Sequence, residues 1–257
     1  FNTLRNLSRR KEREETRSFI VEGERAVFEL YDKTLPNYSL EYIIVSSKYL
    51  DKVDAGKFKK ASVYRLDDKS FEQIADTQTP QGIAAVVKYK SLVLADIKNI
   101  KSDALFVVCD GVSDPGNLGT VIRAADAANA DGVIIAPGTV DPYNSKAIRA
   151  AMGSLFHVNI YFCNDRAELV KKLKSENVKI LVADRKAKRS YWEADMGGKL
   201  ALVLGSEAHG VSDDMRSLAI DKIGIPIYGN AESLNVAMAG TLLLYEAQRQ
   251  RQGAKCC

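Results

Sequence analysis

From residue 104 to residue 250 the chain alternates short apolar runs with longer stretches in which apolar residues recur every three or four positions. The short runs, at 104–109, 132–136, 157–162, 178–183, 200–205 and 222–227, are rich in Val, Ile and Leu and predict strands. The longer stretches, at 117–129, 144–153, 165–175, 212–219 and 232–250, predict helices. Apolar strands alternating with helices imply a parallel sheet covered on both faces. Residues 1–90 mix the two periods more tightly. A charged helix is predicted at 8–17, with strands at Ser18–Val21, Tyr42–Ser46, Ser62–Leu66 and Ile83–Tyr89. Helices are predicted at Glu22–Tyr31 and Asp67–Ala75, and Thr79-Pro80-Gln81-Gly82 has the composition of a turn. Lys, Asp and Ser scattered through 91–103 break both patterns. The chain therefore reads as α/β, with a small α/β domain over 1–90, a linker over 91–103 and a parallel-sheet domain over 104–257.

Three predicted strands of the second domain run into glycine and small polar residues. They are Asp110–Arg123 (DGVSDPGNLGTVIR), Leu202–Gly210 (LVLGSEAHG) and Ile225–Ala239 (IPIYGNAESLNVAMA). Turns of this kind place free backbone N–H groups where a ligand can sit, and three of them predict one composite site. Gly111, Gly116 and Gly119 fit neither GxGxxG nor GxxxxGK[ST], so neither a dinucleotide fold nor a P-loop is supported. GxSxG is absent and His157 and His209 are the only histidines, which argues against a Ser-His-Asp hydrolase. His157 reads as a structural residue in a strand, and His209 as a residue of the second glycine turn that can face a ligand. Asn117, at a helix start, can cap that helix or face a ligand. Arg123, further along the same helix beside Ala124 and Ala125, is a phosphate-contact candidate because its planar fork matches phosphate oxygens.

An apolar fraction of 46% and a charged fraction of 27% are those of a globular protein with a core. The net charge of +4 is a weak sign of a polyanionic partner, and its distribution says more. Arg5 to Arg17 holds six basic residues against three acidic ones. A second series comprises Lys171, Lys172, Lys174, Lys179, Arg185, Lys186, Lys188 and Arg189. Either can grip phosphates or form a solvated face. The long basic loop at 184–199 also carries Tyr191 and Trp192, and reads as a packed aromatic anchor or a functional flap. Cys109, Cys163, Cys256 and Cys257 form no CxxC pair, so neither a disulfide framework nor a zinc site is expected. No basic-then-apolar leader opens the chain and no run approaches the ~20 apolar residues of a membrane span, so a cytoplasmic protein without membrane or metal partners is expected.

NLGTVIRAA (Asn117–Ala125), LVLGSEAHGV (Leu202–Val211) and IPIYGNAESLNVAMA (Ile225–Ala239), in that order, resemble the three signature motifs of the SpoU (TrmH) family of RNA 2′-O-methyltransferases, within the knotted SPOUT superfamily. FIVEGERAV (Phe19–Val27) and TPQGIAAVV (Thr79–Val87) resemble that family's ribosomal-protein-like substrate-binding domain. The resemblance implies a C-terminal trefoil knot holding S-adenosyl-methionine through Leu204, Gly205, Ile225, Gly229 and Leu234. It also implies a homodimer whose sites are completed across the interface, which the apolar helix around Leu242, Leu243, Leu244 and Tyr245 fits. The reaction implied is in-line transfer of a methyl group from a sulfonium to a ribose 2′-hydroxyl. The family's catalytic residue falls on Arg123, with Asn117, Glu207, Ser233 and Asn235 around it. An arginine pKa above ~12 makes Arg123 a poor general base. It is expected instead to bind the adjacent phosphate and stabilise the developing alkoxide, with Ser233 and Asn235 as orienting groups and Glu207 organising the site. RNA is the implied partner, ribosomal RNA first and transfer RNA second, and the polar, basic segment from Val45 to Lys60 is a further RNA-contact candidate. The alternatives are a catalytically silent RNA-binding protein of the same fold, a tRNA 2′-O-methyltransferase, and an enzyme acting on a small phosphorylated metabolite.

Overall fold

A computed structural model describes residues 2–50, 58–59, 61–218 and 221–253. The N-terminal part contains α1 (Asn2–Asn6), α2 (Arg10–Thr16), β1 (Ser18–Glu22), α3 (Glu24–Asp32), β2 (Tyr38–Ser46), α4 (Ser47–Leu50), β3 (Ser62–Leu66), α5 (Asp68–Ile74) and β4 (Ile83–Tyr89). Its four strands form one sheet in the order β1-β4-β2-β3, antiparallel except for the β2–β3 pair. Strand periodicity sends alternate residues to opposite faces. Phe19, Ile43, Val45 and Val87 enter the main core, whereas Ile44, Ala84 and Val86 meet Leu4 of α1, Leu7 in the turn after it and Phe71 of α5 on the other side. Asp67 caps α5 by accepting the Ser70 N–H at 2.9 Å. The candidate RNA segment after Val45 lies partly outside the described residues, at 51–57 and 60.

The remainder contains β5 (Leu92–Val93), β6 (Leu105–Asp110), α6 (Pro115–Ala127), β7 (Gly132–Ile135), α7 (Ser145–Ala151), β8 (Ile160–Phe162), α8 (Arg166–Ser175), β9 (Lys179–Ala183), β10 (Leu200–Gly205), α9 (Asp213–Leu218), β11 (Asp221–Ile223) and α10 (Val236–Gly253). Seven parallel strands lie in the order β11-β9-β10-β6-β7-β8-β5. Along β6, Leu105, Val107 and Cys109 face one core, shared with α6 and α10, while Phe106 and Val108 face a second, shared with α8 and α9. The chain moves one way from β6 through β7 to β8, and β10 lies on the other side of β6. That makes the β6–β10 boundary a switch point, where crevices open beyond the carboxyl ends of the strands. α10 returns to pack on α6 and β10, an arrangement consistent with the expected knot.

Four expectations need correction. Residues 91–103 are not only a linker: β5 pairs with β8 as the sheet edge, and Leu92, Leu94 and Ile97 are buried in the second core. A two-residue strand leaves no periodic signal. The last strand ends at Ile223 instead of running to Ile227, because Pro226 has no N–H to continue a ladder. Residues 232–235 lie outside α10, since Asn235 caps it. His157 follows a short 3-10 turn at Ser154–Phe156 and is not in a strand. Its Nε2 lies 2.7 Å from Glu29, on α3.

The two sheets share a core. Phe19 stacks on Tyr143 with ring centroids 4.8 Å apart, and Tyr89 meets the same ring at 4.0 Å. Beside them Arg13 pairs with Asp141 at 2.6 Å, both side chains buried, and also donates to the Leu7 and Ser8 carbonyls. The N-terminal basic run is therefore partly structural: Arg10 pairs with Glu14 as well. Among the described residues no helix is long and apolar enough to cross a membrane.

Candidate active site

The site is built where β6 and β10 end side by side. Asp110, the last residue of β6, is buried and accepts hydrogen bonds from Arg166 Nε and the Ser212 N–H, both at 2.7 Å. This ties the segment following β10 to the end of β6. At the end of β10, a Cβ on Gly205 would lie 2.1 Å from the Gly210 carbonyl carbon and the Val211 nitrogen. Only glycine lets residues 206–210 fold back over the strand, where Ser206 and Gly210 exchange backbone hydrogen bonds of 2.9 and 2.8 Å. The turn carries Glu207 to the start of α6.

That helix starts with Asp114 as cap, accepting the Asn117 N–H at 2.8 Å, and Pro115 in its first turn. The Lys146 ammonium, 2.8 Å away, and the capping bond hold the Asp114 carboxyl below its ordinary value. Glu207 accepts from Asn117 Nδ2 at 2.9 Å, from the Ser113 hydroxyl at 2.9 Å, and from the Ser113 and Asp114 N–H groups at 3.1 and 3.3 Å. Asn117 Oδ1 accepts from Asn235 Nδ2 at 2.9 Å. Asn235 Oδ1 in turn accepts the Ala237 and Met238 N–H groups at 2.9 and 3.3 Å, at the first turn of α10. A carboxylate only accepts and a backbone N–H only donates, so the ends of this relay set the orientation of both amides. The three glycine-bearing segments are thereby locked together. Burial pushes the Glu207 carboxyl up, but the bonds from Asn117 and Ser113 outweigh it and the net shift is downward. Glu207 is therefore a carboxylate at neutral pH.

Beside the relay opens a cavity of about 380 Å³. Leu204, Gly205, Ile225 and Leu234 line it, as do Glu207, Ser233 and Asn235. Asn117 is bonded to two of these residues. Gly229 is not in the lining, and a Cβ placed on it would meet nothing within 4 Å. Arg123 is not in the cavity either. It lies six residues beyond Asn117 on α6, about 9 Å along the axis. It is exposed, with no hydrogen bond or ion pair among the described residues. On the neighbouring α10, Met238, Leu242 and Tyr245 form an exposed stripe at helical spacing, Met238 with 64% of its surface free.

The sequence reading missed two contributors. Ser113 makes two of the bonds to Glu207, and only its place within the glycine-bearing segment pointed to it. Arg216, a lone arginine on α9 with no motif around it, lines the cavity. Its Nε is buried without a hydrogen-bond partner and lies 3.5 Å from the Asp184 carboxylate. His209 also lines the cavity, its backbone N–H donating to Ser206 Oγ at 3.1 Å. The volume falls in the range of small-ligand sites, and a lining that mixes apolar side chains such as Leu204, Ile225 and Leu234 with charged and polar ones such as Glu207, Ser233 and Asn235 suits a nucleoside carrying a polar tail. The residues present thus fit S-adenosyl-methionine.

A parallel sheet with a ligand-sized cavity at its switch point, joined to a small α/β unit through a shared core, defines a two-part α/β ligand-binding protein. Sequence comparison narrows this further. Residues 104–245 match the SpoU rRNA Methylase family, and residues 2–85 match the MRM3-like substrate binding domain. The chain belongs to the SpoU rRNA methylase family and is a methyltransferase. It is 34% identical over 241 residues to the 23S rRNA (guanosine(2553)-2′-O)-methyltransferase RlmP of Bacillus subtilis, covering 94% of this chain and 92% of that one. It is also 34% identical over 190 residues to the 23S rRNA (guanosine-2′-O-)-methyltransferase RlmB of Escherichia coli, covering 72% and 76%. Among solved structures, the AdoMet-bound rRNA methyltransferase from Sinorhizobium meliloti matches with a TM-score of 0.85 and 30% identity, over 96% of this chain and 93% of that one. The AdoMet complex of the SpoU methyltransferase AviRb from Streptomyces viridochromogenes also matches with a TM-score of 0.85, at 25% identity over 97% and 96%.

Proposed function

We propose that this protein transfers the methyl group of S-adenosyl-methionine to a ribose 2′-hydroxyl of ribosomal RNA, as a cytoplasmic homodimer. The observation that carries this reading is the relay from Glu207 through Asn117 to Asn235, which joins all three motif segments at the edge of the cofactor-sized cavity. When bound, the cofactor supplies an already activated methyl group on a sulfonium. The protein's work is then to position the ribose and handle its proton. Leu204, Ile225 and Leu234 are apolar walls suited to a purine. Glu207 keeps the turn at 206–210 against α6, and Ser233, with no hydrogen-bond partner among the described residues, is free to meet a substrate oxygen.

Arg123 enters from a second copy in this reading. Its exposure without a partner, and the exposed Met238, Leu242 and Tyr245 stripe on the helix packed against α6, support a dimer in which the stripe is covered and Arg123 reaches the other protomer's site. There it binds the phosphate next to the target ribose and steadies the developing alkoxide. The test is methyl transfer from labelled S-adenosyl-methionine to unmodified 23S rRNA, with Arg123→Ala as the comparison. Label on a ribose 2′-oxygen, lost in the variant while cofactor binding persists, is the expected result. Cofactor binding without label on ribosomal RNA would overturn the substrate, and label on transfer RNA alone would replace it.

A further inference from the structure

The basic residues between 171 and 189 separate into two groups. On α8, Lys172 is tied to Glu176 at 2.8 Å, and Lys171 and Lys174 stand on an exposed helix surface. After β9 the arrangement differs. Arg185, Lys186 and Lys188 are exposed, have no side-chain hydrogen bond or ion pair among the described residues, and line a groove of about 600 Å³. Ile225 and Ile227 belong to the same groove, with Glu232 its one acidic residue. Arg185, Lys186, Ile225 and Ile227 also line the cofactor cavity, so groove and cavity adjoin.

The loop that carries these cations is held at both ends. The Asp184 N–H donates to the Ile223 carbonyl at 2.9 Å, and Asp184 Oδ1 accepts the Lys186 N–H at 2.9 Å. The Ala187 N–H donates to the Asp184 carbonyl at 3.0 Å, and the Gly224 N–H to the Arg189 carbonyl at 2.9 Å. A Cβ on Gly224 would lie 3.1 Å from the Ala187 carbonyl oxygen, which shows how closely the two segments run. Arg189 is spent on the scaffold: its guanidinium pairs with Asp221 and donates to the Glu193 carbonyl at 2.8 Å. The fold therefore fixes the backbone while leaving three cations without protein partners. Three like charges gathered in a concavity repel one another, a cost that a bound polyanion reverses.

We infer that the groove formed by Arg185, Lys186 and Lys188 against Ile225 and Ile227 is a binding site for phosphates of the substrate RNA strand, at the mouth of the cofactor cavity. This rests on the RNA methyltransferase reading and adds where the strand is held. Single-stranded RNA is the fitting form, because its bases can splay over the apolar floor while its phosphates meet the cations.

The experiment measures binding of an unmodified 23S rRNA transcript as a function of salt for wild type, Lys188→Ala, and the triple variant Arg185→Ala, Lys186→Ala, Lys188→Ala. Each phosphate contact on a single strand contributes about −0.7 to the slope of log K against log salt, so the triple variant loses about 2 from the slope. That corresponds to roughly 50-fold weaker binding at about 0.15 M salt, and roughly 4-fold for Lys188→Ala alone. Lys188 lines the groove but not the cofactor cavity, so its variant keeps wild-type affinity for S-adenosylhomocysteine. The pair Lys171→Ala, Lys174→Ala is the control and loses less slope per charge removed than the groove variant. An unchanged slope in the triple variant, or an equal loss per charge removed in the control, overturns the site while a methylating wild type leaves the function standing. A wild type that neither methylates the transcript nor binds it salt-dependently overturns the function, and the site with it.

Discussion

Replacing Asn117 by Asp tests the relay with almost no change of shape. One oxygen of the introduced carboxyl still accepts from Asn235, but the other faces Glu207, where Asn117 Nδ2 now donates at 2.9 Å. Two costs follow. A hydrogen bond to a charged acceptor is worth roughly 1.5–3 kcal/mol, and the lower end applies because Glu207 is largely exposed. Two like charges about 4 Å apart repel by about 1 kcal/mol in water and about 4 kcal/mol near a protein surface. Together they destabilise the variant by about 3 kcal/mol at neutral pH, which for a chain of this size lowers the melting temperature by roughly 6–12 °C. The pH dependence is the sharper signature. In the wild type the Glu207 pKa is depressed, so its contribution is complete above the ordinary carboxylate range and is lost as the pH falls through the lowered value. In the variant the facing carboxylates raise each other's pKa until they share one proton, which restores a donor to the relay. The deficit is therefore largest near neutrality and shrinks on acidification, opposite in trend to the wild type. Thermal melts of both proteins between about pH 7.5 and about pH 5, followed by circular dichroism, measure it. A variant that melts with the wild type at neutral pH, or a deficit that does not shrink with acid, would refute the reasoning.

Three other perturbations follow from the same geometry. Gly205→Ala drives a Cβ to 2.1 Å from backbone atoms, so it should cost at least about 3 kcal/mol and abolish S-adenosylhomocysteine binding, both readable in one thermal-shift titration. Arg13→Ala strands the buried Asp141 carboxylate between the two sheets and should cost about 3–5 kcal/mol in denaturant melts, whereas Arg10→Ala, at an exposed pair, should cost under about 1 kcal/mol. Burial pushes the Cys109 thiol up to about 12, so at about pH 8 it should resist iodoacetamide in the native protein and react on unfolding, as mass spectrometry of the labelled peptide would show.

The second half of the fold was legible because its signals are local. Each long strand is an apolar run buried on both faces, and α8 starts at a recognisable cap, Asp165. The sequence reading instead starts α6 at 117 with Asn117 as its cap candidate, whereas Asp114 caps it and Asn117 lies inside the first turn. What failed was what depends on distant partners. β5 is a strand only because β8 offers an edge, and nothing around Leu92 and Val93 encodes that edge. His157 owes its place to Glu29, 128 residues away, and no periodicity could link them. Pro226, by contrast, was visible in the sequence and should have ended the last strand earlier.

The same division runs through the site. Glu207, Asn117 and Asn235 sit in three motifs whose order a sequence displays, yet their direct bonding becomes evident only when β6 and β10 lie side by side. The resemblance places Gly205 and Gly229 alike at the cofactor, and the structure separates them. Gly205 is required by the chain's own backbone crossing, whereas nothing within the described protein crowds Gly229. A glycine unexplained by its own fold must be explained by a ligand or tolerated by chance. Substituting Gly229 by Ala discriminates, because the change is harmless to the free protein and matters only where another molecule approaches. Arg123 follows the same logic one level up. A long cation left unpaired on a helix that packs against the one carrying an exposed apolar stripe is unexplained by the single chain, and the second copy in the proposed dimer supplies what it lacks.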